Sequence, residues 1–274
     1  MKPLTIGSLF SGIGGLDLGI ERGLASAGVA AETIWQVEQS DYCRRILARH
    51  WPHAERYTDV RTITAETVHP IDVLVGGFPC QDISTAGKGA GLAGEKSGLL
   101  FEMARIIREL EPRTVVMENV SAITSRGLDT VLGTMAALGY NARWGGLRAS
   151  EVGAPHRRER WFCVCWLADS GRRGQSLRST ESKRLNVWQS RPQNRREWAT
   201  TPGMDRKPNG IPARLDSPHR WPAPPGPQHA WEPPRTRPRQ PHDRERLKAL
   251  GNAVVPQCAA IIGHWIGSQL IESA

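Results

Sequence analysis

A cysteine that directly follows a predicted strand is the residue of this chain best placed for covalent chemistry. Residues 71–75, IDVLV, are a short apolar run rich in β-branched side chains, which predicts a buried parallel strand. Two glycines and Pro79 follow, so Cys80 stands at the carboxyl end of that strand, where open α/β sheets bind ligands. A small buried thiol in a tight turn is the alternative for any single Pro-Cys pair. The other motifs of the chain favour a nucleophile.

Three more side chains could act on the same pocket. Glu118 lies near the carboxyl end of the predicted strand 114–120, and neighbouring parallel strands would let it face the thiol. Arg158 and Arg160 precede the predicted strand 161–167 and point the same way if that strand extends back to them. Two arginines in one pocket are costly to desolvate without an anion or acid partner. A solvated basic turn is the alternative for this segment.

The N-terminal residues predict the opening of a nucleotide-binding βαβ unit. A predicted strand at 4–10 runs into the glycine turn SGIGG at 11–15, and a helix follows. A second predicted strand ends in Glu38, about twenty residues beyond the glycines, where such units place a carboxylate for ribose hydroxyls. Glu38 could equally assist the N-terminus of the next helix, predicted at 41–50. Residues 57–60 predict a short third strand or the end of one.

Positive charge is concentrated in one segment of the chain. The 274 residues carry a net charge of +9, but residues 170–246 hold 17 Lys and Arg against 7 Asp and Glu, and the remainder holds 19 against 20. The same segment contains 13 of the 20 prolines and four of the ten tryptophans, without a helical or alternating period. This distribution indicates a basic insert that contacts phosphates, after which the chain returns to the main fold with a helix predicted at 257–271.

Other classes of protein and site are disfavoured. Five scattered cysteines argue against a disulfide framework. Cys163 and Cys165 share one face of a predicted strand and lack the further ligands of a metal site, so we interpret them as packing residues. No run approaches the ~20 apolar residues that span a bilayer, and the first residues lack signal-peptide anatomy. We therefore expect a cytoplasmic protein with no membrane and no metal, and one site on one chain suffices for a monomer.

Taken together, these stretches resemble the DNA (cytosine-5)-methyltransferases. Five motifs carry the resemblance in the order of the family: LFSGIGG at 9–15, GFPCQDIS at 77–84, ENV at 118–120, the pair Arg158 and Arg160, and GNAVVP at 251–256. The resemblance covers about 1–168 and 244–274. It implies an α/β fold with a Rossmann-like, mostly parallel sheet of the class I methyltransferase type, and places a small, irregular, basic target-recognition region at 169–243.

The resemblance implies a reaction and the residues that perform it. S-adenosylmethionine would donate its methyl group to C5 of a cytosine flipped out of duplex DNA, after Cys80 has added to C6 as a thiolate. Glu118 would stabilise charge at N3 and N4 of the ring. Arg158 and Arg160 would hold O2 and the backbone and favour the thiolate. The residues implied to contact DNA are Gln81, Ser84 and Asn119.

The resemblance also implies a cofactor pocket built from distant parts of the chain. Phe10 would stack on the adenine ring, Glu38 would bind the ribose, and Asp59 would receive the adenine amino group. The methionine end would be lined by Gly12, Gly14, Asn252 and Ala253, and Ser11 and Val60 complete the set. Residues from both ends of the chain would therefore meet at one site.

Departures from the family pattern and alternative functions accompany the resemblance. His156 stands where many members have glutamine, and no stretch matches the ninth motif of the family, which supports the recognition region. An RNA cytosine-5 methyltransferase and a binding module without turnover are alternatives. A dinucleotide oxidoreductase is a third, although it leaves Cys80 and the basic insert unexplained. A methylase of a restriction–modification pair, a phage or prophage methylase and a stand-alone enzyme would share these motifs. For the first of these, a cognate restriction endonuclease is a candidate partner.

Overall fold

One sheet forms the centre of the molecule. The computed structural model describes residues 2–79, 98–167, 183–184 and 240–272, together with Pro227 and Pro238. The strands in these ranges are β1 (Leu4–Leu9), β2 (Ala31–Val37), β3 (Glu55–Tyr57), β4 (Val73–Gly76), β5 (Thr114–Val120), β6 (Tyr140–Arg148), β7 (Glu159–Leu167) and β8 (Lys183–Arg184). Their order across the sheet is β3-β2-β1-β4-β5-β7-β6-β8. Strands β1 to β5 pair in parallel, whereas β7 runs antiparallel to both β5 and β6.

Helices cover both faces of this sheet. Those in the described ranges are α1 (Gly15–Ser26), α2 (Asp41–His50), α3 (Gly98–Leu110), α4 (Ile123–Arg126), α5 (Leu128–Ala137), α6 (Asp243–Asn252) and α7 (Pro256–Glu272). Helices α3 and α5 pack on one face, and α1 and α7 pack on the other. Because both faces are covered, β4 is buried along its whole length, which explains its continuous apolar sequence.

Alternate side chains of β4 show how the two cores are built. Leu74 packs in one core with Met103 of α3, whereas Val73 and Val75 pack in the other with Ile20 of α1. All five of these strand and helix residues are almost completely buried. The period of two along the strand therefore distributes its side chains between two hydrophobic layers.

Close packing of α1 on α7 joins the N-terminal and C-terminal parts of the chain. A Cβ added at Gly19 would lie 2.5 Å from the Pro256 carbonyl, and one added at Gly263 would lie 2.5 Å from the Ile20 carbonyl. Glycine therefore allows the two helix backbones to approach. By length and composition, Asp243–Ile271 is the one helical stretch in the described ranges that could cross a membrane. A core helix has the same composition, and the buried residues of α7 pack on α1 and the sheet.

The structure confirms the predicted α/β class, corrects one local prediction and adds one helix. The predicted strand at 57–60 is wrong beyond Tyr57, because Asp59 accepts a hydrogen bond from the Arg61 N–H at 3.0 Å and begins a 3₁₀ turn at Val60–Thr62. Helix α6 is not predicted, because its sequence is polar and Ala249 is its one buried residue. The predicted division into 1–168 plus 244–274 and 169–243 stays a prediction.

Candidate active site

The topology places a ligand site between β1 and β4. The strand order reverses there, because β2 and β3 lie beyond β1 while β5 lies beyond β4. Ligands of open α/β sheets bind outside the carboxyl ends of the strands at such a reversal. The glycine turn at 11–15 follows β1, and the segment that leads to Cys80 follows β4. Cys80, Gln81 and Ser84 lie outside the described residues, which resume at Gly98.

Glu118, on β5, is a buried acid beside an arginine. It is 7% exposed, and Arg160 Nε lies 2.9 Å from its Oε1. Burial raises the pKa of Glu118 to about 7, against the lowering effect of the Arg160 and Arg158 charges. The N–H of Arg160 is not well aligned with Oε1, so this oxygen has an unfilled hydrogen-bonding position among the described residues. At neutral pH the carboxyl can therefore hold or release a proton.

The end of β5 also positions the backbone that precedes Cys80. A Cβ added at Gly77 would lie 2.9 Å from Glu118 Oε2, so glycine leaves room for the carboxylate there. Asn119 is 3% exposed; its Nδ2 donates to the Phe78 carbonyl at 3.0 Å, and its Oδ1 accepts from the next backbone N–H at 2.8 Å. Asn119 thus holds the chain two residues before Cys80. The predicted contact of Asn119 with DNA stays a prediction.

The two arginines of the predicted pair have different partners. Strand β7 extends back to include Arg160, and Arg158 lies two residues earlier. Arg160 pairs with Glu118, whereas Arg158 Nη2 donates to the carbonyls of Gly251 at 2.6 Å and Ala253 at 2.7 Å. Burial and the charge of Arg160 lower the pKa of Arg158. The structure therefore brings one arginine to the acid and the other to the C-terminal segment.

The glycine turn has open space at Gly12. Gly12 and Gly14 have φ values of 56° and 81°, in the left-handed region that favours glycine, and a Cβ added at Gly12 would meet nothing within 4 Å. Phe10 precedes the turn, is half-buried, and also has a positive φ of 55°. Ser11 is buried, with its Oγ within hydrogen-bonding distance of carbonyls of β1 and β2 at 3.2 and 3.3 Å. These four predicted cofactor residues form one continuous turn.

Glu38 joins the glycine turn to the start of α2. Its Oε2 accepts from the N–H of Gly12 at 2.8 Å, and its Oε1 accepts from the N–H of Ser40 at 2.7 Å. Ser40 is the cap of α2 and accepts from the N–H of Cys43 at 3.4 Å. The structure therefore supports the interpretation that Glu38 assists the N-terminus of α2, and it also places the carboxylate at the glycine turn. A contact between Glu38 and ribose stays a prediction.

Asp59 and Val60 lie on the β3 side of the site. The N–H of Glu38 donates to the Tyr57 carbonyl at 3.0 Å, which places the end of β3 beside Glu38. The Asp59 side chain follows and is 45% exposed, whereas Val60 is buried. The Oδ1 of Asp59 accepts from the Arg61 N–H at 3.0 Å, and its Oδ2 lies 3.8 Å from Arg61 Nη1. The predicted contact of this carboxylate with adenine stays a prediction.

Asn252 and Ala253 approach the same edge from the C-terminal part of the chain. A Cβ added at Gly15 would lie 2.5 Å from the Val254 carbonyl, so the segment that connects α6 to α7 lies against the start of α1. Asn252 is exposed and Ala253 is half-buried. The structure therefore brings the segment that carries both residues to the start of α1, although more than 200 residues of sequence separate them, and their predicted contacts with the cofactor stay predictions.

Asp17, in the first turn of α1, is a buried acid that the sequence analysis misses. None of it is exposed; its Oδ1 accepts from Ser8 Oγ at 2.8 Å and its Oδ2 from Gln36 Nε2 at 2.7 Å. Burial raises the pKa of Asp17 to about 6, against the lowering effect of these two hydrogen bonds. The available signal is a single acid inside the apolar run GLDLGI at 15–20.

The paired cysteines of β7 are core residues, as predicted. The Sγ atoms of Cys163 and Cys165 lie 3.5 Å apart, both residues are fully buried, and burial raises the pKa of the Cys163 thiol. Among the residues that the structure describes, no three His, Cys, Asp or Glu side chains cluster in a way that could hold a metal ion. His156, the departure from the family pattern, is exposed.

Comparisons with known proteins identify relatives of this chain. A family model for C-5 cytosine-specific DNA methylases matches residues 4–201. The type II methyltransferase M.NgoBV of Neisseria gonorrhoeae is 32% identical over 173 residues, and M.HhaI of Haemophilus parahaemolyticus is 33% identical over 165 residues. Each match covers 59% of this chain but 41% and 48% of these relatives, so the chain spans less than half of their length.

A solved structure shows that the fold is shared more widely. The methyltransferase EhMeth of Entamoeba histolytica superposes with a TM-score of 0.54 at 19% identity, covering 61% of this chain and 54% of that one. The family model spans well over half of the chain, and its range includes the glycine turn, Cys80, Glu118 and both arginines. The chain belongs to the C-5 cytosine-specific DNA methylase family.

Proposed function

We propose that the chain is a DNA (cytosine-5-)-methyltransferase that transfers a methyl group from S-adenosylmethionine to cytosine in duplex DNA. The observation that carries the proposal is the state of Glu118, a buried carboxyl with a pKa of about 7, paired with Arg160. This group lies beside the backbone that leads to Cys80. Family membership supports the same reaction, and M.NgoBV and M.HhaI are both named type II methyltransferases.

In the proposed reaction, the Cys80 thiolate adds to C6 of a cytosine that has been flipped out of the duplex, and the displaced electron pair moves toward C5. Glu118, protonated beforehand, donates its proton at N3, so that the ring avoids a full negative charge. When bound, S-adenosylmethionine supplies the electrophilic methyl group that C5 takes. Return of the N3 proton to Glu118, loss of the C5 proton to a base and departure of the Cys80 thiolate then restore the aromatic ring and the starting state of both residues.

The residues around the glycine turn fit this cofactor. The turn has open space above Gly12, and the carboxylate of Glu38 lies where ribose hydroxyls could donate to it. Phe10 offers an aromatic face for adenine, and the exposed carboxylate of Asp59 can accept from the adenine amino group. Asn252 would face the methionine end, from the segment that lies against the start of α1.

The basic segment would supply contacts to DNA. We assign 169–243 to target recognition, because most of the excess positive charge lies there and phosphates are the partners that such charge attracts. The enzyme would act as a monomer in the cytoplasm. The type II names of its relatives favour a restriction–modification setting, with a cognate restriction endonuclease as partner.

Transfer of tritium from labelled S-adenosylmethionine tests the proposal. The substrates are duplex DNA of mixed sequence and transfer RNA, and the variants are Cys80→Ala and Glu118→Gln. We expect label in DNA as 5-methylcytosine and no label with Cys80→Ala. We expect Glu118→Gln to lower the rate of methyl transfer by about 100-fold or more, because general acids contribute on this scale. Label in RNA alone would favour the RNA methyltransferase, and no label with the cofactor still bound would favour a binding module.

A further inference from the structure

Arg158 connects two parts of the chain that are far apart in sequence. Its Nη2 donates to the carbonyls of Gly251 and Ala253, which lie 93 and 95 residues further along. These carbonyls belong to the C-terminal end of α6, where backbone oxygens lack partners within the helix. The last turn of α6 contains no basic residue of its own. Arg158 therefore supplies the cation that a helix C-terminus favours.

The segment that Arg158 holds also lies against the glycine turn. The carbonyl of Val254 would be 2.5 Å from a Cβ at Gly15, the first residue of α1. On the other side, α7 begins at Pro256 and packs along α1. The short connection between α6 and α7 is therefore fixed at one side by the start of α1 and at the other by Arg158.

The contacts of Arg158 differ from those of Arg160. Arg160 is directed to Glu118, the proposed proton donor. Arg158 instead uses its Nη2 on backbone carbonyls, and its Nε is buried without a hydrogen-bond partner among the described residues. A guanidinium bound in this way can transmit its effect through the segment that it binds.

We propose that Arg158 is a positioning residue that holds residues 251–253 against the glycine turn and thereby sets the affinity for the cofactor. Arg160, two residues away, acts instead on the chemical step through Glu118. The inference rests on the proposed function and deepens it, because it assigns separate tasks to the two arginines. It predicts that the two substitutions affect different kinetic constants.

Calorimetric binding of S-adenosylhomocysteine and initial rates at varied S-adenosylmethionine test this division. We expect Arg158→Ala to raise the Kd for S-adenosylhomocysteine and the KM for S-adenosylmethionine about tenfold or more, with kcat changed only a few-fold, because two hydrogen bonds to a charged donor are lost. We expect Arg160→Ala to lower kcat strongly and to leave the Kd unchanged. Arg157→Ala, an exposed neighbour, is the matched control for lost charge and should bind as wild type does.

The opposite pattern would overturn the inference. If Arg158→Ala binds S-adenosylhomocysteine as wild type does and loses kcat as Arg160→Ala does, Arg158 acts on the base. If Arg158→Ala fails to fold, the same measurements are made on Arg158→Lys, because its ammonium group can reach at most part of the same carbonyl pair. Unchanged Kd and KM in Arg158→Lys would also overturn the inference. Wild type that neither binds S-adenosylhomocysteine nor methylates DNA would instead refute the proposed function.

Discussion

Two carboxyls of this chain titrate close to neutral pH in different surroundings. Asp17 is enclosed between α1, β1 and β2, and both of its oxygens accept hydrogen bonds from neutral side chains. Glu118 lies at the carboxyl edge of the sheet, beside two arginines. Burial raises the pKa of each, but of the two only Glu118 has an oxygen without a hydrogen-bond partner among the described residues, and it lies beside the backbone that leads to Cys80. We therefore assign chemistry to Glu118 and a structural role to Asp17.

At the scale of single residues, we expect Asp17→Asn to stabilise the protein at pH 8 relative to wild type. The pKa of Asp17 rises from 3.8 to about 6 on folding, so between these pH values the folded state holds a proton that the unfolded state has lost. Wild-type stability therefore falls as the pH rises through this window, by roughly 3 kcal/mol. Urea denaturation of both proteins at pH 4 and pH 8 measures the difference.

The surroundings of Asp17 can accept the substituted amide. Gln36 Oε1 is buried without a hydrogen-bond partner in the described residues, so rotation of the Gln36 amide would present an acceptor to the new N–H donor. The gain should appear at pH 8 and largely vanish at pH 4. A change in stability of the same size at both pH values would show that ionisation of Asp17 is not its cause.

We expect kcat/KM of the wild type to fall above about pH 7. Glu118 loses its proton near this pH in the free enzyme, and the proposed role at N3 requires the protonated form. The residual activity of Glu118→Gln should lack this alkaline limb, while Asp17→Asn should keep it. Initial rates at subsaturating DNA between pH 6 and pH 9 are the measurement, and the same limb in Glu118→Gln would assign it to another group.

At the scale of secondary-structure elements, glycines control how closely α1 and α7 pack. A Cβ added at Gly23 of α1 would collide with the backbone carbonyl of Ala260 on α7. We expect Gly23→Ala to lower the free energy of unfolding by about 1–3 kcal/mol, because rigid backbone cannot yield to the added methyl group. Denaturation in urea measures this cost.

Gly133, in α5, is the matched control for this substitution. Its added Cβ would meet nothing within 4 Å. We expect Gly133→Ala to stabilise the protein by about 0.5–1 kcal/mol, since alanine is the better helix former. If Gly23→Ala stabilises to the same extent, then α1 and α7 do not pack as closely as described.

Elements with strong hydrophobic patterns could be predicted from the sequence, whereas elements held by distant contacts could not. The apolar runs of β4 and β5 predict their strands, and parallel pairing then places Glu118 beside the segment before Cys80. Helix α6 has no such pattern, because its side chains are mostly exposed. Its contact with Arg158 spans 93 residues, and no local periodicity encodes that distance.

The whole molecule consists of a nearly neutral α/β body and a strongly basic segment. The glycine turn, Glu38, Glu118 and the segment at 251–254 come from distant parts of the sequence, and the reversal of strand order between β1 and β4 brings them to one edge. We propose that this edge binds the ligands, and that the segment with the excess charge contacts DNA. We propose that Cys80 attacks cytosine at this edge.

Trapping of the covalent intermediate tests that claim most directly. In duplex DNA of mixed sequence with 5-fluorocytosine in place of cytosine, Cys80 can add and C5 can take the methyl group, but fluorine cannot leave as the proton does. We predict a protein–DNA adduct that survives denaturation, requires S-adenosylmethionine and is absent with Cys80→Ala. An adduct that persists with Cys80→Ala, or methylation of ordinary DNA by a wild type that forms no adduct, would contradict the account.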